Sequence, residues 1–95
     1  MIAVVAEIPI KAGKEKEYLA QAEKVVAATR KEAGCISYEC CQSVENKLKF
    51  AMAEKWKDKE ALDAHMQTDH FKAFISGIGD LTDGDTVIEV YSVLI

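Results

Sequence analysis

The strongest constraint on the fold is the order of strand-like and helix-like segments along the chain, which can be inferred from the spacing of apolar residues. Apolar residues alternate with a period of two in some segments and recur at helical spacing in others. The predicted elements, in chain order, are a strand over 2–10, a helix over 14–33, strands over 35–44 and 48–56, a helix over 59–68 continued by a helical turn through 70–78, and a strand over 86–95. This β-α-β-β-α-β order predicts an α+β fold of the ferredoxin-like type, with an antiparallel sheet and both helices on one face.

Local signals support several of these boundaries. Gly34 follows the first helix at the position of a C-terminal cap, and Asp58 precedes the second helix as a good N-cap. The turn over 45–47 is short, which predicts an antiparallel hairpin between its flanking strands. Strict alternation places Ile36 and Tyr38 on the same face of the second strand.

The strands are apolar on both faces, whereas an antiparallel sheet covered on one side usually has one polar face. Ala3, Val5, Ala51 and Ala53 would be exposed on the second face, together with apolar residues of 86–95. An exposed apolar sheet face usually marks an interface. The chain of 95 residues, interpreted as a single domain over 1–95, is also small enough to gain from association. We therefore predict a homodimer that packs sheet against sheet.

Composition excludes several classes of function. The net charge is −4 and the basic residues alternate with acids, which argues against a nucleic-acid or anionic-membrane surface. No apolar run approaches the ~18 residues of a membrane span, and the N-terminus lacks a signal-peptide pattern. We therefore expect a cytoplasmic protein.

The cysteines agree with a reducing compartment. Cys35, Cys40 and Cys41 are an odd number of thiols without a CxxC spacing. Cys40 and Cys41 are adjacent in a predicted strand, so their side chains should point to opposite faces and cannot easily share a metal. We interpret all three as small hydrophobic residues rather than as redox or metal-binding residues.

The two histidines of the chain are candidates for chemistry. His65 shares the inner face of the second helix with Leu62 and Met66, and His70 begins the next helical turn beside Phe71. A neutral histidine near a pKa of ~6.5 can act as a general base at neutral pH. Either one could instead be a hydrogen-bonded or surface histidine without a catalytic role. Their spacing of five argues against zinc, because metal-binding histidines on one helix face are usually four apart.

A carboxylate on a large apolar strand face is the second candidate. Glu54 shares a face with Phe50, Met52 and Trp56, and a carboxylate in such surroundings needs a partner. It could form a structural salt bridge or hydrogen bond, or it could orient a histidine or a substrate hydroxyl in a pocket. Tyr38 could join this face from the second strand. No glycine-rich phosphate loop or nucleotide fingerprint is present, so no cofactor is expected.

Two segments, "EAGCISYECCQS" at 32–43 and "EKWKDKEALDAHMQTDHFKAF" at 54–74, resemble the antibiotic biosynthesis monooxygenase domain family, and the opening "AEIPIKAGKEKEY" also fits. The residues that carry the resemblance are Gly34, Cys35, Glu54, Trp56, His65, His70, Phe71 and Lys72. The resemblance implies a dimeric α/β barrel, in which two sheets pack together with the helices outside. It also implies a pocket between sheet and helices in each subunit.

The family includes cofactor-free monooxygenases that act on quinols and anthrones, enzymes that process a phosphorylated autoinducer-2 signal, and haem-degrading oxygenases. The haem branch relies on an asparagine, a tryptophan and an axial histidine. Trp56 matches the tryptophan, but Ala6 and Ile75 stand at the other two positions. Haem degradation is therefore rejected, and the His65–His70 pair resembles the quinol and autoinducer-2 branches.

These observations lead to a first hypothesis, a cofactor-independent monooxygenase that oxidises a small quinol, phenol or anthrone-type substrate with dioxygen. His65 or His70 would remove a hydroxyl proton, and Glu54 would orient that base or accept a hydrogen bond. The residues predicted to bind the substrate ring are Tyr38, Phe50, Met52, Trp56, Phe71 and Phe74. We expect neither a cofactor nor a metal.

Two other hypotheses stay open. An isomerase or degrading enzyme for a small phosphorylated signal would need a cation for the phosphate, and Lys72 is available without a basic cluster around it. A non-catalytic dimeric domain for ligand binding or stress response would have an occluded pocket, or no histidine facing it.

Overall fold

The computed structural model describes residues 1–95 and has the predicted ferredoxin-like α+β architecture. Its elements are β1 (Ile2–Pro9), α1 (Glu15–Thr29), β2 (Cys35–Gln42), β3 (Lys49–Trp56), α2 (Lys59–Met66), α3 (Asp69–Ile78) and β4 (Val87–Ser92). The four strands form one antiparallel sheet in the order β2-β3-β1-β4. The fold prediction is confirmed, with the second helical region divided into two helices.

The core lies between the sheet and the helices. Alternate residues of β1 and β3 point toward the helices, and the pairing of Val4 with Glu54 and of Ile8 with Phe50 aligns the two buried rows. Tyr18 of α1 is fully buried and its ring packs 4.7 Å from that of Phe50. Burial at every second residue explains why these segments are strands, since the period of two places one row of side chains in the core.

Gly34 does not cap α1, so that prediction was wrong. The helix ends at Thr29, and Arg30 occupies its C-cap with helical backbone angles. Gly34 lies instead where a β-carbon would collide with the β-carbon of Ala61 in α2. The glycine is therefore needed for the close approach of α2 to the segment after α1.

The second helical region breaks between Met66 and Asp69. The side chain of Thr68 accepts a hydrogen bond from the Phe71 backbone N–H at 3.2 Å, which caps α3. The Thr68 hydroxyl also donates to the carbonyl oxygen of His65 at 2.6 Å. The break places His65 on α2 and His70 on α3, as predicted from a helix over 59–68 and a following helical turn that begins at His70.

The start of β2 departs from strict alternation. The register with β3 shifts between Cys35 and Ser37, which is the effect of a β-bulge. Ile36 is therefore 53% exposed while Tyr38 is buried, so the prediction that they share a face was wrong. After the bulge the alternation resumes, with Cys40 packed against the core and Cys41 exposed, and all three thiols are free.

The second sheet face and all of β4 are open to solvent. Val5 is 41% exposed, and Val87, Ile88, Val90 and Tyr91 of β4 are each about half exposed. Among the strands, α1 packs mainly on β2 and α2 on β3, whereas every residue of β4 is exposed. None of the helices has the length and apolar character that crossing a membrane requires.

The contact between Gly34 and Ala61 can be tested by substitution. We expect Gly34→Ala to lower the free energy of unfolding by about 1–3 kcal/mol, since an added methyl group overpacks the interface. Chemical denaturation measures the change.

Gly79→Ala is the matched control, because Gly79 has helical angles and the nearest atom to its β-carbon would be 3.6 Å away. Ala61→Gly in the Gly34→Ala background should relieve the collision, at a cost of about 1 kcal/mol for glycine within α2. Equal losses in the Gly34 and Gly79 variants would contradict the packing role of Gly34.

Candidate active site

A carboxylate and two imidazoles meet at one end of the helical layer. The Oε2 atom of Glu32 lies 2.7 Å from Nδ1 of His65 and 2.7 Å from Nε2 of His70. We call these three residues the Glu32 cluster. They belong to three separate parts of the chain, since Glu32 lies between α1 and β2, His65 on α2 and His70 on α3.

The backbone around the Glu32 cluster explains why its members converge. The segment after α1 turns tightly, with the N–H of Glu32 bonded to the carbonyl of Thr29 and the N–H of Cys35 bonded to the carbonyl of Glu32. The bare α-carbon of Gly34 then lets α2 approach. At the other end of α2, the Thr68 cap redirects the chain into α3 and brings His70 to the same oxygen.

The hydrogen bonds of Glu32 define the protonation of both rings. An ionised carboxylate oxygen only accepts, so His65 donates through Nδ1 and His70 through Nε2. The neutral His65 ring then carries no proton on Nε2. That nitrogen is buried and has no hydrogen-bond partner, so it is an acceptor that a bound ligand could satisfy.

His65 is the more deeply buried of the two histidines. Its side chain is 2% exposed, compared with 28% for His70 and 16% for Glu32. The rings of Trp56 and Phe71 lie 4.7 and 5.0 Å from the His65 ring, measured between centroids. Burial lowers the pKa of His65, and the hydrogen bond and negative charge of Glu32 offset this only in part. The ring is therefore neutral at neutral pH.

Glu54 is a second buried carboxyl group. It is 8% exposed, and its Oε1 accepts a hydrogen bond of 2.9 Å from Nε1 of Trp56. Burial raises the pKa of Glu54 to about 7, despite the stabilising hydrogen bond from Trp56. Near neutral pH this group can therefore accept a proton or donate one.

A cavity of about 40 Å³ lies between the sheet and α2–α3, and both His65 and Glu54 line it. Apart from Thr86, the other lining residues are hydrophobic. Ile75, Thr86 and Ile88, which are exposed, form the outer edge of the cavity near β4. The cavity lining includes these members of the predicted site: Tyr38, Met52, Glu54, His65, Phe71 and Phe74.

The other predicted site residues lie elsewhere. Phe50 is buried against Tyr18, and Trp56 is fully buried beneath His65. His70 is the most exposed residue of the Glu32 cluster and does not line the cavity. A larger open groove of about 680 Å³ runs beside α1, where it is lined by Leu19, Arg30 and other residues but by neither histidine.

Glu32 was not among the residues that the sequence singled out. Its neighbours Lys31 and Arg30 made it resemble part of a solvated helix end, and its partners are 33 and 38 residues away. The only available signal was its place in the "EAGC" segment that carries the family resemblance.

The argument from spacing against a metal does not apply to the folded chain, because the histidines lie on different helices. The donor atoms of the Glu32 cluster are all within 4.8 Å of one another, and two imidazoles with one carboxylate are a set that a transition metal could use. A metal would have to replace the hydrogen-bonded protons on both rings, since Glu32 already accepts from each.

Comparison with known proteins identifies the family. The model of the family "Antibiotic biosynthesis monooxygenase" matches residues 1–77. The chain belongs to this family. It is 37% identical over 76 residues to "Putative monooxygenase YcnE" of Bacillus subtilis, with 80% of each chain covered. It is 32% identical over 94 residues to "Probable quinol monooxygenase YgiN" of Escherichia coli, covering 87% of this chain and 90% of that protein.

A solved structure confirms the fold of this family member. A crystal structure from Caulobacter crescentus, titled a putative antibiotic biosynthesis monooxygenase, superposes with a TM-score of 0.95 at 27% identity, covering 99% of this chain and 90% of that one. The chain also matches the uncharacterised protein sll1783 of Synechocystis at 32% identity over 92 residues. It spans only 63% of the length of that protein.

Because the pKa of Glu54 is raised in the folded protein, we predict that the free energy of unfolding depends on pH. The carboxyl has a pKa of about 7 in the folded protein and an ordinary value of 4.5, so the folded state binds more protons than the unfolded state between these values. The free energy of unfolding should therefore fall as pH rises through this window, by about 3 kcal/mol at most.

Urea denaturation of the wild type and Glu54→Gln across pH 4–8 isolates this contribution. The lowered pKa of His65 acts in the opposite direction on acidification below 6.5, but it is present in both proteins. We expect Glu54→Gln to gain stability relative to the wild type as pH rises. The exposed Glu60→Gln, on α2, serves as control, and parallel curves for all three proteins would contradict the prediction.

Proposed function

We propose that the protein is a cofactor-independent monooxygenase that oxidises a small quinol, phenol or anthrone-type substrate with dioxygen. The observation that supports this most directly is the Nε2 atom of His65, which is buried without a partner in a residue that lines an apolar cavity. A neutral imidazole nitrogen in that state accepts a hydrogen bond and can take the proton from an acidic hydroxyl group. His65, rather than His70, is the proposed base.

The chemistry of the substrate completes the reaction. Removal of the hydroxyl proton by His65 leaves an electron-rich anion, which transfers an electron to dioxygen and gives a substrate radical and superoxide. Their combination forms a carbon–oxygen bond, and the imidazolium returns its proton to the peroxide. The C–H bond at that carbon then loses its proton as the O–O bond breaks. One oxygen atom stays on the ring carbon as a carbonyl, and the other leaves as hydroxide, which takes up the released proton to form water.

The cavity supplies surroundings that suit this chemistry. Its walls include the rings of Phe71, Phe74 and Tyr38, which offer apolar contact to an aromatic substrate and exclude water. A volume of about 40 Å³ holds roughly one water molecule, whereas an apolar cavity of about 150 Å³ binds benzene. Binding of a ring therefore requires the side chains near the α3–β4 edge to move outward.

Family membership supports the same proposal. One relative is named "Probable quinol monooxygenase YgiN". Another is named "Putative monooxygenase YcnE". Both align over most of this chain, at 80% and 87% of its length.

The alternative of a phosphorylated signal as substrate is less well supported. A phosphate group would need a cation or a cluster of N–H donors, and the cavity lining contains neither lysine nor arginine. Lys72 is exposed on α3 and does not reach the lining. A non-catalytic binding domain has no observation in its favour beyond the small volume of the cavity.

The test is oxygen consumption by the purified, metal-free protein with a panel of quinols and anthrones. We expect uptake above autoxidation, lowered by about 100-fold or more in His65→Ala because a general base contributes that much. Gln67→Ala, an exposed position at the end of α2, is the matched control. Circular dichroism checks that each variant is folded.

Two outcomes would contradict this proposal. Uptake no faster than autoxidation across the whole panel would exclude the oxygenase reaction for these substrates. Full activity in folded His65→Ala would leave the reaction in place but exclude His65 as its base.

We further propose that the chain forms a homodimer through the second face of the sheet. The strand pairings place Ala3, Val5 and Tyr91 on the face opposite the helices, where Val5 and Tyr91 are 41% and 50% exposed. Burial of such a surface against a second copy removes apolar area from water.

Analytical ultracentrifugation tests the dimer. We expect the wild type to sediment as a dimer and Val5→Glu to shift to the monomer at micromolar concentration, because a buried unpaired carboxylate is costly. Val44→Glu is the control, since Val44 is fully exposed outside the sheet. A monomeric wild type, or a dimeric Val5→Glu, would overturn the proposed interface.

A further inference from the structure

We propose that Glu32 is the positioning residue of this site, fixing which nitrogen of His65 faces the cavity without its proton, and that His70 holds Glu32 in that position. The inference rests on the proposed function, since it assigns the residues that prepare the base. The sequence motifs do not single out Glu32, and they do not show that it bonds to both histidines.

The geometry gives Glu32 control over the tautomer of His65. A neutral imidazole carries one proton, and either nitrogen can hold it. The contact of 2.7 Å from Nδ1 to the Glu32 oxygen is a hydrogen bond only if the proton is on Nδ1. Nε2 is then free to accept from a ligand in the cavity, where no other group satisfies it.

Glu32 also provides charge at the moment when the base is protonated. When His65 takes a proton from the substrate, an imidazolium forms at a side chain that is 2% exposed. A buried charge without a partner is strongly unfavourable, and the carboxylate of Glu32 lies in direct contact with it. The proton is thus held until the peroxide takes it back.

His70 donates to the same oxygen as His65. Its Nε2–H donates to Oε2 of Glu32 at 2.7 Å, and the His70 side chain is 28% exposed, compared with 16% for Glu32. This hydrogen bond holds the Glu32 carboxylate in contact with His65. It also means that the negative charge of Glu32 is shared between two imidazole rings, so it stabilises a proton on His65 less than it would without His70. Glu32 should therefore strengthen the base, and His70 should weaken it.

The two partners consequently have opposite effects on the basicity of His65. The charge and hydrogen bond of Glu32 raise the pKa of His65, while the positive charge of a protonated His70 lowers it. The other ionisable groups that line the same cavity are Glu54 from β3 and Tyr38 from β2. Both are retained in the variants below, and because the charge of Glu32 also raises the pKa of Glu54, the effect on His65 is measured at its own ring nitrogens.

Nitrogen-15 NMR of the imidazole rings in the metal-free protein tests the positioning role without any substrate. In the wild type we expect a protonated Nδ1 and an unprotonated Nε2 on His65. Glu32→Gln keeps an acceptor oxygen but removes the charge, so the tautomer should persist while His65 titrates at lower pH. Glu32→Ala removes the acceptor, and the two tautomers should then mix.

His70→Gln and Glu60→Gln complete the set of variants. His70→Gln should move the His65 titration to higher pH, and Glu60→Gln, an exposed carboxylate in the first turn of α2, should leave it unchanged. A His65 tautomer and titration that stay the same in both Glu32 variants would overturn the inference. So would an equal response in Glu60→Gln.

Oxygen uptake then relates positioning to turnover. We expect kcat to fall about 100-fold or more in Glu32→Ala, by analogy with the loss of a base or of its tautomer. The KM should change little, and the acid limb of the pH profile should move down in Glu32→Gln and up in His70→Gln. Identical profiles in wild type and both variants would overturn the inference.

The outcomes of the two experiments can be distinguished. If the wild type consumes no oxygen, the proposed function fails, while the NMR result still decides whether Glu32 positions His65. If uptake is present but the NMR spectra are unchanged in the Glu32 variants, the function stands and the positioning role is excluded.

Discussion

The close packing of Ala61 against the bare α-carbon of Gly34 is the contact on which the site depends. It allows the first turns of α2 to lie directly against the segment between α1 and β2. Glu32 is two residues before this point and His65 is one helical turn after it, so the approach that removes the space for a β-carbon also brings carboxylate and imidazole within 2.7 Å. The polar interaction thus follows from a steric one.

Differences in burial give the two histidines, and likewise the two carboxyl groups, different properties. His65 and His70 contact the same oxygen, but only His65 lines the cavity and is shielded from solvent. The same contrast separates the two carboxyl groups. Glu32 is partly exposed and bonded to two rings, whereas Glu54 is buried with a single indole N–H and has its pKa raised to about 7. Environment rather than residue type assigns each group its role.

Much of the fold could be predicted because its elements repeat simple patterns. Buried and less buried residues alternate along the core-facing parts of β1 and β3. The order in which strand-like and helix-like hydrophobic repeats follow one another along the chain is compatible with few fold topologies. The bulge at Cys35–Ser37 could not be predicted, since one extra residue changes the face of Ile36 without a local sequence signal. The break before α3 was visible only as Thr68 three residues before Phe71, a cap within a continuous apolar pattern.

The site was harder to predict than the fold because it depends on contacts between distant segments. The sequence singled out His65, His70 and Glu54 by residue type, but it gave no measure of which would be buried together. Glu32 is a charged residue near other charges, and only the folded chain shows that it contacts rings more than thirty positions away. Phe50 and Trp56 were correctly placed on the inner strand face, which holds both core residues and cavity walls.

Substitutions at the outer edge of the cavity have a smaller effect on stability than substitutions in its interior. Ile75, Thr86 and Ile88 line the cavity yet are exposed, so exchanging them costs little stability, within roughly 0.5 kcal/mol for most surface positions. The Glu32 cluster and the buried strand residues do not have that freedom. Substitution at this rim can therefore reshape the mouth of the cavity while the Glu32 cluster stays as it is, which separates the shape of the opening from the stability of the fold.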